Sequence, residues 1–126
     1  GGLTWVGTYG PMSRFDSAAD RGIEIQKAYG FAPVVVSRPM KGGHFGVLRF
    51  LAVFDKQDTA EVERVRAMMS ELLDAVTDAG FAMYKTPPWA LQRLAKRIDP
   101  GMLEMVRKVQ GLCDPHGILN PGKWAV

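Results

Sequence analysis

The sequence is poor in the residues that several chemistries need. It has one cysteine, Cys113, so no internal disulfide can form and a disulfide-stapled secreted module is excluded. It has two histidines, His44 and His116, far apart and outside any HExxH or CxxC context, so metal binding is not indicated. There is no GxSxG turn for a nucleophilic serine, and Cys113, beside Asp114-Pro115, reads as a small apolar residue at a helix end. Gly42-Gly43 precedes a strand-like run and not a helix, so no phosphate cradle is formed there. No apolar run approaches the ~20 residues of a membrane-spanning helix. Charge of one sign is scarce too. Sixteen Lys and Arg stand against thirteen Asp and Glu, a net charge of +3, and no block of about five like charges marks a nucleic-acid face. No charged leader with a cleavage site opens the chain, so the expectation is a cytoplasmic protein. The start at Gly1-Gly2, directly into a strand-like run, suits a piece of a longer polypeptide.

What is present is enough for a core. With 126 residues, 47% hydrophobic and 23% charged, the chain reads as a single domain over 1–126. Residues 3–9 read as a strand broken by Gly10-Pro11. Residues 17–29 read as a helix capped by Asp16 or Ser17 and ended by Gly30. Residues 33–38 form a β-branched strand, with the turn at Pro39 and Gly42-Gly43. Residues 44–54 are apolar almost throughout, which predicts a strand buried over most of its length. Asp58-Thr59-Ala60-Glu61 has capping-box spacing, and behind it Val62, Val65, Met69, Leu72, Leu73 and Val76 recur at helical intervals until Gly80. Residues 81–85 read as a last strand, cut short by Pro87-Pro88. Helices follow over 89–97 and 101–112, then an irregular tail. The order βαββαβ predicts a ferredoxin-like α+β fold, an antiparallel four-stranded sheet with helices on one face, plus C-terminal helices.

Three spots could carry chemistry. Tyr84-Lys85, at a strand end, pairs a phenol with an ammonium that could hold an anion or an electron-rich ring; the alternative is an amphipathic pair snorkelling at the sheet end. His44 opens the apolar strand and could equally be satisfied by turn backbone. The tail DPHGILNPGK, residues 114–123, has two Pro/Gly turns flanking Ile118-Leu119, and on its own is a turn pinned by two apolar side chains.

Together these segments resemble the FAD-linked oxidases of the vanillyl-alcohol oxidase and p-cresol methylhydroxylase superfamily. The tail resembles that family's C-terminal signature, and the opening GGLTWVGTYGP is similar to the strand entering its substrate, or cap, domain near the flavin. The resemblance implies a C-terminal substrate domain whose N-terminal FAD-binding domain lies elsewhere in the same polypeptide, with FAD as cofactor. Residues 103–126 would then be a final helix and tail contacting FAD. Tyr84 matches the active-site tyrosine that bonds a phenolate, and Lys85 stands where the 4-alkylphenol branch has an arginine. Asn120 and Lys123 match positions touching the cofactor, and His44 and Trp5 fall near pocket-lining positions, with Tyr9, Phe45 and Trp89 available as further aromatic wall. The implied reaction is hydride transfer from a 4-alkylphenol, bound as phenolate, to flavin N5, leaving a quinone methide. Oxygen or a cytochrome would accept the electrons, in a homo-oligomeric enzyme; the isolated chain would be inactive. The alternatives are an FAD-linked D-2-hydroxy-acid dehydrogenase of the lactate or glycolate type, with Lys85 or Arg49 as carboxylate partner, and a non-catalytic ferredoxin-like binding module.

Overall fold

A computed structural model describes residues 1–119 and 121. The chain divides into two compact units, Gly1–Lys85 and Thr86–Val126. In the first, strands β1 (Gly2–Pro11), β2 (Val34–Pro39), β3 (Phe45–Phe54) and β4 (Ala82–Met83) alternate with helices α1 (Phe15–Ala28) and α2 (Thr59–Asp78) as βαββαβ. The sheet order is β2-β3-β1-β4 with every pairing antiparallel, so this is the ferredoxin-like α+β arrangement.

The sheet follows from strand alternation. Along β1, Val6, Thr8 and Gly10 are buried, while Leu3, Trp5 and Tyr9 are exposed on the opposite face. The buried face carries the core, where Val6, Leu48 and Phe50 meet Ile25 of α1 and Met68, Leu72, Leu73 and Val76 of α2. Each of the larger side chains contributes about 1.5–3 kcal/mol by leaving water. Helix α1 comes close to the sheet at Gly22, where a Cβ would lie 2.1 Å from Cε1 of Phe50. Two buried polar side chains tie into the sheet: Thr8 Oγ1 donates to the Leu48 carbonyl at 3.1 Å, and Gln26 Nε2 to the Leu51 carbonyl at 2.8 Å.

Four expectations need correction. Helix α1 begins at Phe15 after a 3-10 turn, Met12–Arg14, with no side-chain cap; Ser17 Oγ instead donates to the Arg14 carbonyl at 3.2 Å. Strand β3 is buried chiefly on its helix side, and Phe45 and Val53 on the other face are 45% and 69% exposed because no helix of this unit covers that face. The last strand shrinks to Ala82–Met83, and Tyr84 and Lys85 form a bend beyond it. The α2 cap is half a capping box. Asp58 Oδ1 accepts from the Ala60 and Glu61 amides at 2.9 and 3.1 Å, but Glu61 Oε2 accepts from the Asp55 amide, not from Asp58. The β2–β3 turn puts Gly42 and Gly43 at φ +93° and +69°, where a Cβ is strongly disfavoured.

The second unit holds α3 (Pro88–Leu94), a 3-10 turn at Ala95–Arg97, and α4 (Pro100–Cys113). Asp99 Oδ1 caps α4 through the Met102 amide at 3.1 Å. Beyond α4 the Asp114 carboxylate accepts from the Ile118 and Leu119 amides at 2.9 and 2.7 Å, which closes the turn that the Pro/Gly pattern of the tail anticipates. Among the described residues, no helix is long and apolar enough to cross a membrane.

Candidate active site

The chemistry gathers on the face of the sheet that α1 and α2 leave open. Register brings it together: Gly7 of β1 stands opposite Arg49 of β3, and the Tyr84 amide donates to the Gly7 carbonyl at 3.4 Å. Residues directly opposite in an antiparallel pair share a face. Gly7 has no side chain, and the Tyr84 ring occupies that space. An Arg49 terminal guanidinium nitrogen donates a hydrogen bond to the Tyr84 hydroxyl oxygen, and its guanidinium carbon lies 5.7 Å from the Tyr84 ring centroid.

This geometry leaves functional capacity unused. The Tyr84 oxygen accepts from Arg49, so its own O–H remains to donate outward. Arg49 is half-buried, and its Nε–H is buried with no partner among the described residues. An unpartnered charged donor in a water-poor place is costly unless something anionic arrives to meet it. Aromatic rings adjoin the pair: Tyr9 lies 5.0 Å from Tyr84 and 5.9 Å from Phe45, centroid to centroid, the second contact edge-on. A phenol donor, a fixed guanidinium and an apolar aromatic floor together suit a planar ligand with an anionic oxygen.

The residues singled out from sequence are distributed unevenly. Tyr84 is at the centre. Trp5 shares its face, two residues along β1 from Gly7, and is 41% exposed. Lys85 is exposed at the bend and makes no hydrogen bond or ion pair with a described residue. His44 sits exposed in the β2–β3 turn, its carbonyl accepting from the Met12 amide at 3.3 Å. It is five residues along the chain from Arg49, about 17 Å at ~3.4 Å per residue. Asn120 and Lys123 lie outside the described residues, and Trp89 belongs to the second unit. Sequence reasoning attaches Arg49 only to a carboxylate, and does not reach Gly7. The available signal was that Arg49 is the one charged residue inside an otherwise apolar strand.

Comparison with known proteins agrees with this architecture. Residues 8–124 match the family model described as FAD linked oxidases, C-terminal domain. A stretch of 71 residues, 56% of this chain, is 28% identical to the 4-cresol dehydrogenase [hydroxylating] flavoprotein subunit of Pseudomonas putida, of which it covers 14%. A crystal structure of p-cresol methylhydroxylase with substrate bound superposes with a TM-score of 0.84 at 22% identity, over 99% of this chain and 24% of that one. The chain thus spans a small part of the proteins it matches, and by its family match it belongs to the C-terminal domain family of the FAD-linked oxidases.

Proposed function

We propose that this domain forms the substrate wall of an FAD-dependent oxidoreductase that oxidises 4-alkylphenols. The observation that carries the reading is the Arg49–Tyr84 pair on an aromatic face, with the phenolic O–H still free to donate and the buried Arg49 Nε–H unmet by any described residue. A phenol is activated at its para substituent when its oxygen carries negative charge. Tyr84 donates to that oxygen, and Arg49 supplies the opposing charge through a geometry already fixed before the ligand arrives. Charge-assisted hydrogen bonds are roughly twice as strong as neutral ones, so the pair favours the phenolate over the phenol.

The donor set also fits the cofactor that the family implies. FAD, held chiefly by an FAD-binding domain of the same polypeptide, supplies the two-electron oxidant when bound. In this reading Lys85 is the cation available to negative charge on the cofactor, and Asn120 and Lys123 are the tail residues that touch it. Trp5, Tyr9 and Phe45 exclude water and orient the ring, while His44 remains at the pocket's margin.

The test is anaerobic bleaching of the oxidised-flavin band in the polypeptide that joins this domain to its FAD-binding domain. Separate challenges use 4-ethylphenol and D-lactate. Bleaching by 4-ethylphenol is expected. Bleaching by D-lactate alone would overturn the phenolic assignment in favour of a hydroxy acid, and bleaching by neither would remove both.

A further inference from the structure

The four strands contain no acidic residue, and their only charged side chains are Arg38 on β2 and Arg49 on β3. Register puts the two on the same open face. Arg38 stands opposite Val47, Arg49 opposite Val36, and Val47 and Arg49 are two apart on one strand. They are therefore diagonal neighbours, about 7–8 Å apart along the backbone and somewhat closer at Cβ.

Other arginines of this unit are satisfied. Arg21 meets Glu24 and Glu71 at 3.4 and 3.2 Å, Arg66 meets Glu63 at 2.8 Å, Arg64 meets Glu61 at 3.9 Å, and Arg14 donates to the Ala79 carbonyl at 2.9 Å. The Arg38 side chain makes no hydrogen bond, ion pair or ring contact with a described residue, and Arg49 meets no acid. A pair of like charges on neighbouring strands, with no carboxylate on the sheet, is unfavourable in the empty site and favourable when two anionic groups arrive.

We propose that Arg38 is a second anchor that reads a carboxylate, so that the substrate is a phenol bearing an acid on its para side chain. Its phenolic oxygen meets Tyr84 and Arg49, its ring lies along Tyr9 and Phe45, and its carboxylate meets the planar fork of Arg38. The inference rests on the phenolic reading above and narrows it to hydroxyphenyl-alkanoic acids.

The experiment compares 4-ethylphenol with 4-hydroxyphenylpropanoate in the FAD-loaded polypeptide, reading the apparent Kd of each from anaerobic flavin reduction. Arg38→Gln is expected to shift the ratio of the two Kd values about tenfold against the acid, as for one lost charge-assisted contact. Arg38→Lys should recover part of the shift, since it keeps the charge but not the fork, and added salt should shrink it. An unmoved ratio overturns the proposal. If Arg38 only guards an edge strand against pairing, its variants change the sedimentation of the protein and leave the ratio alone. If 4-ethylphenol bleaches the flavin and the ratio is unmoved, only the Arg38 anchor falls. If neither phenol bleaches it, the phenolic reading falls as well.

Discussion

The Tyr84 ring rests on the backbone of Gly7. A Cβ at position 7 would stand 2.8 Å from Tyr84 Cε1, 2.9 Å from its hydroxyl oxygen and 3.0 Å from Cζ. What must yield is the ring, because the backbone beneath it is held in the centre of the sheet. Gly7→Ala is therefore expected to fold and to lose the Tyr84–Arg49 geometry. Flavin reduction by 4-ethylphenol should slow by about ten- to a hundredfold, the range that a misplacement near 1 Å produces. A far-ultraviolet spectrum and thermal midpoint close to wild type would show that the sheet is intact.

Tyr84→Phe removes the outward donor without changing the ring. Flavin reduction should fall by about tenfold or more, matching the ~1.4 kcal/mol or greater of a lost hydrogen bond to a charged group. An unchanged rate would take Tyr84 out of the site.

Arg49→Leu separates stability from function. Arg49 keeps a buried Nε–H without a partner among the described residues, on an otherwise apolar strand. The urea midpoint of the isolated domain should stay level or rise, by up to about 1 kcal/mol of unfolding free energy, while phenol oxidation in the FAD-loaded polypeptide is lost. A marked drop in the midpoint would make Arg49 a structural residue.

Gly22→Ala tests the packing on the opposite face. The new methyl would meet Phe50 Cε1 at 2.1 Å and Cζ at 2.3 Å, and Phe50 is fully buried. Helix α1 must lift or the ring must leave its rotamer, at a cost of about 1–3 kcal/mol. The thermal midpoint should drop by several degrees, and an unchanged value would mean that α1 packs more loosely than described.

The element order was legible because each segment carries its own signal. Asp58 announces α2, the spacing of Val65, Met69, Leu72 and Val76 orients it, and Gly42-Gly43 marks the hairpin. The cap of α1 was not legible, since a 3-10 turn replaces the expected Asp or Ser and leaves no side-chain signature. The candidate site was half legible. Tyr84 and Lys85 are adjacent in sequence, and adjacency suggests a pair, yet Tyr84 meets Arg49, 35 residues away. That pairing depends on which residue of β1 faces which residue of β3, a register that local sequence does not specify. For the same reason an apolar β3 reads as buried over most of its length, although one of its faces is open and carries the candidate site.

Strand β1 is first along the chain and central in the sheet, with Gly2 opposite Phe54 and Thr8 opposite Met83. Its partners are synthesised long after it, whereas β2 and β3 are joined by a short hairpin and can zip as soon as both exist. Assembly is therefore expected to run from the hairpin outward, with β1, the earliest of the four strands along the chain, docking onto β3 only afterwards and β4 pairing onto β1 in turn. The loop-closure cost of that late docking falls on the strand that holds Gly7, so the backbone beneath the Tyr84 ring is laid only once the β2–β3 hairpin is there to receive it.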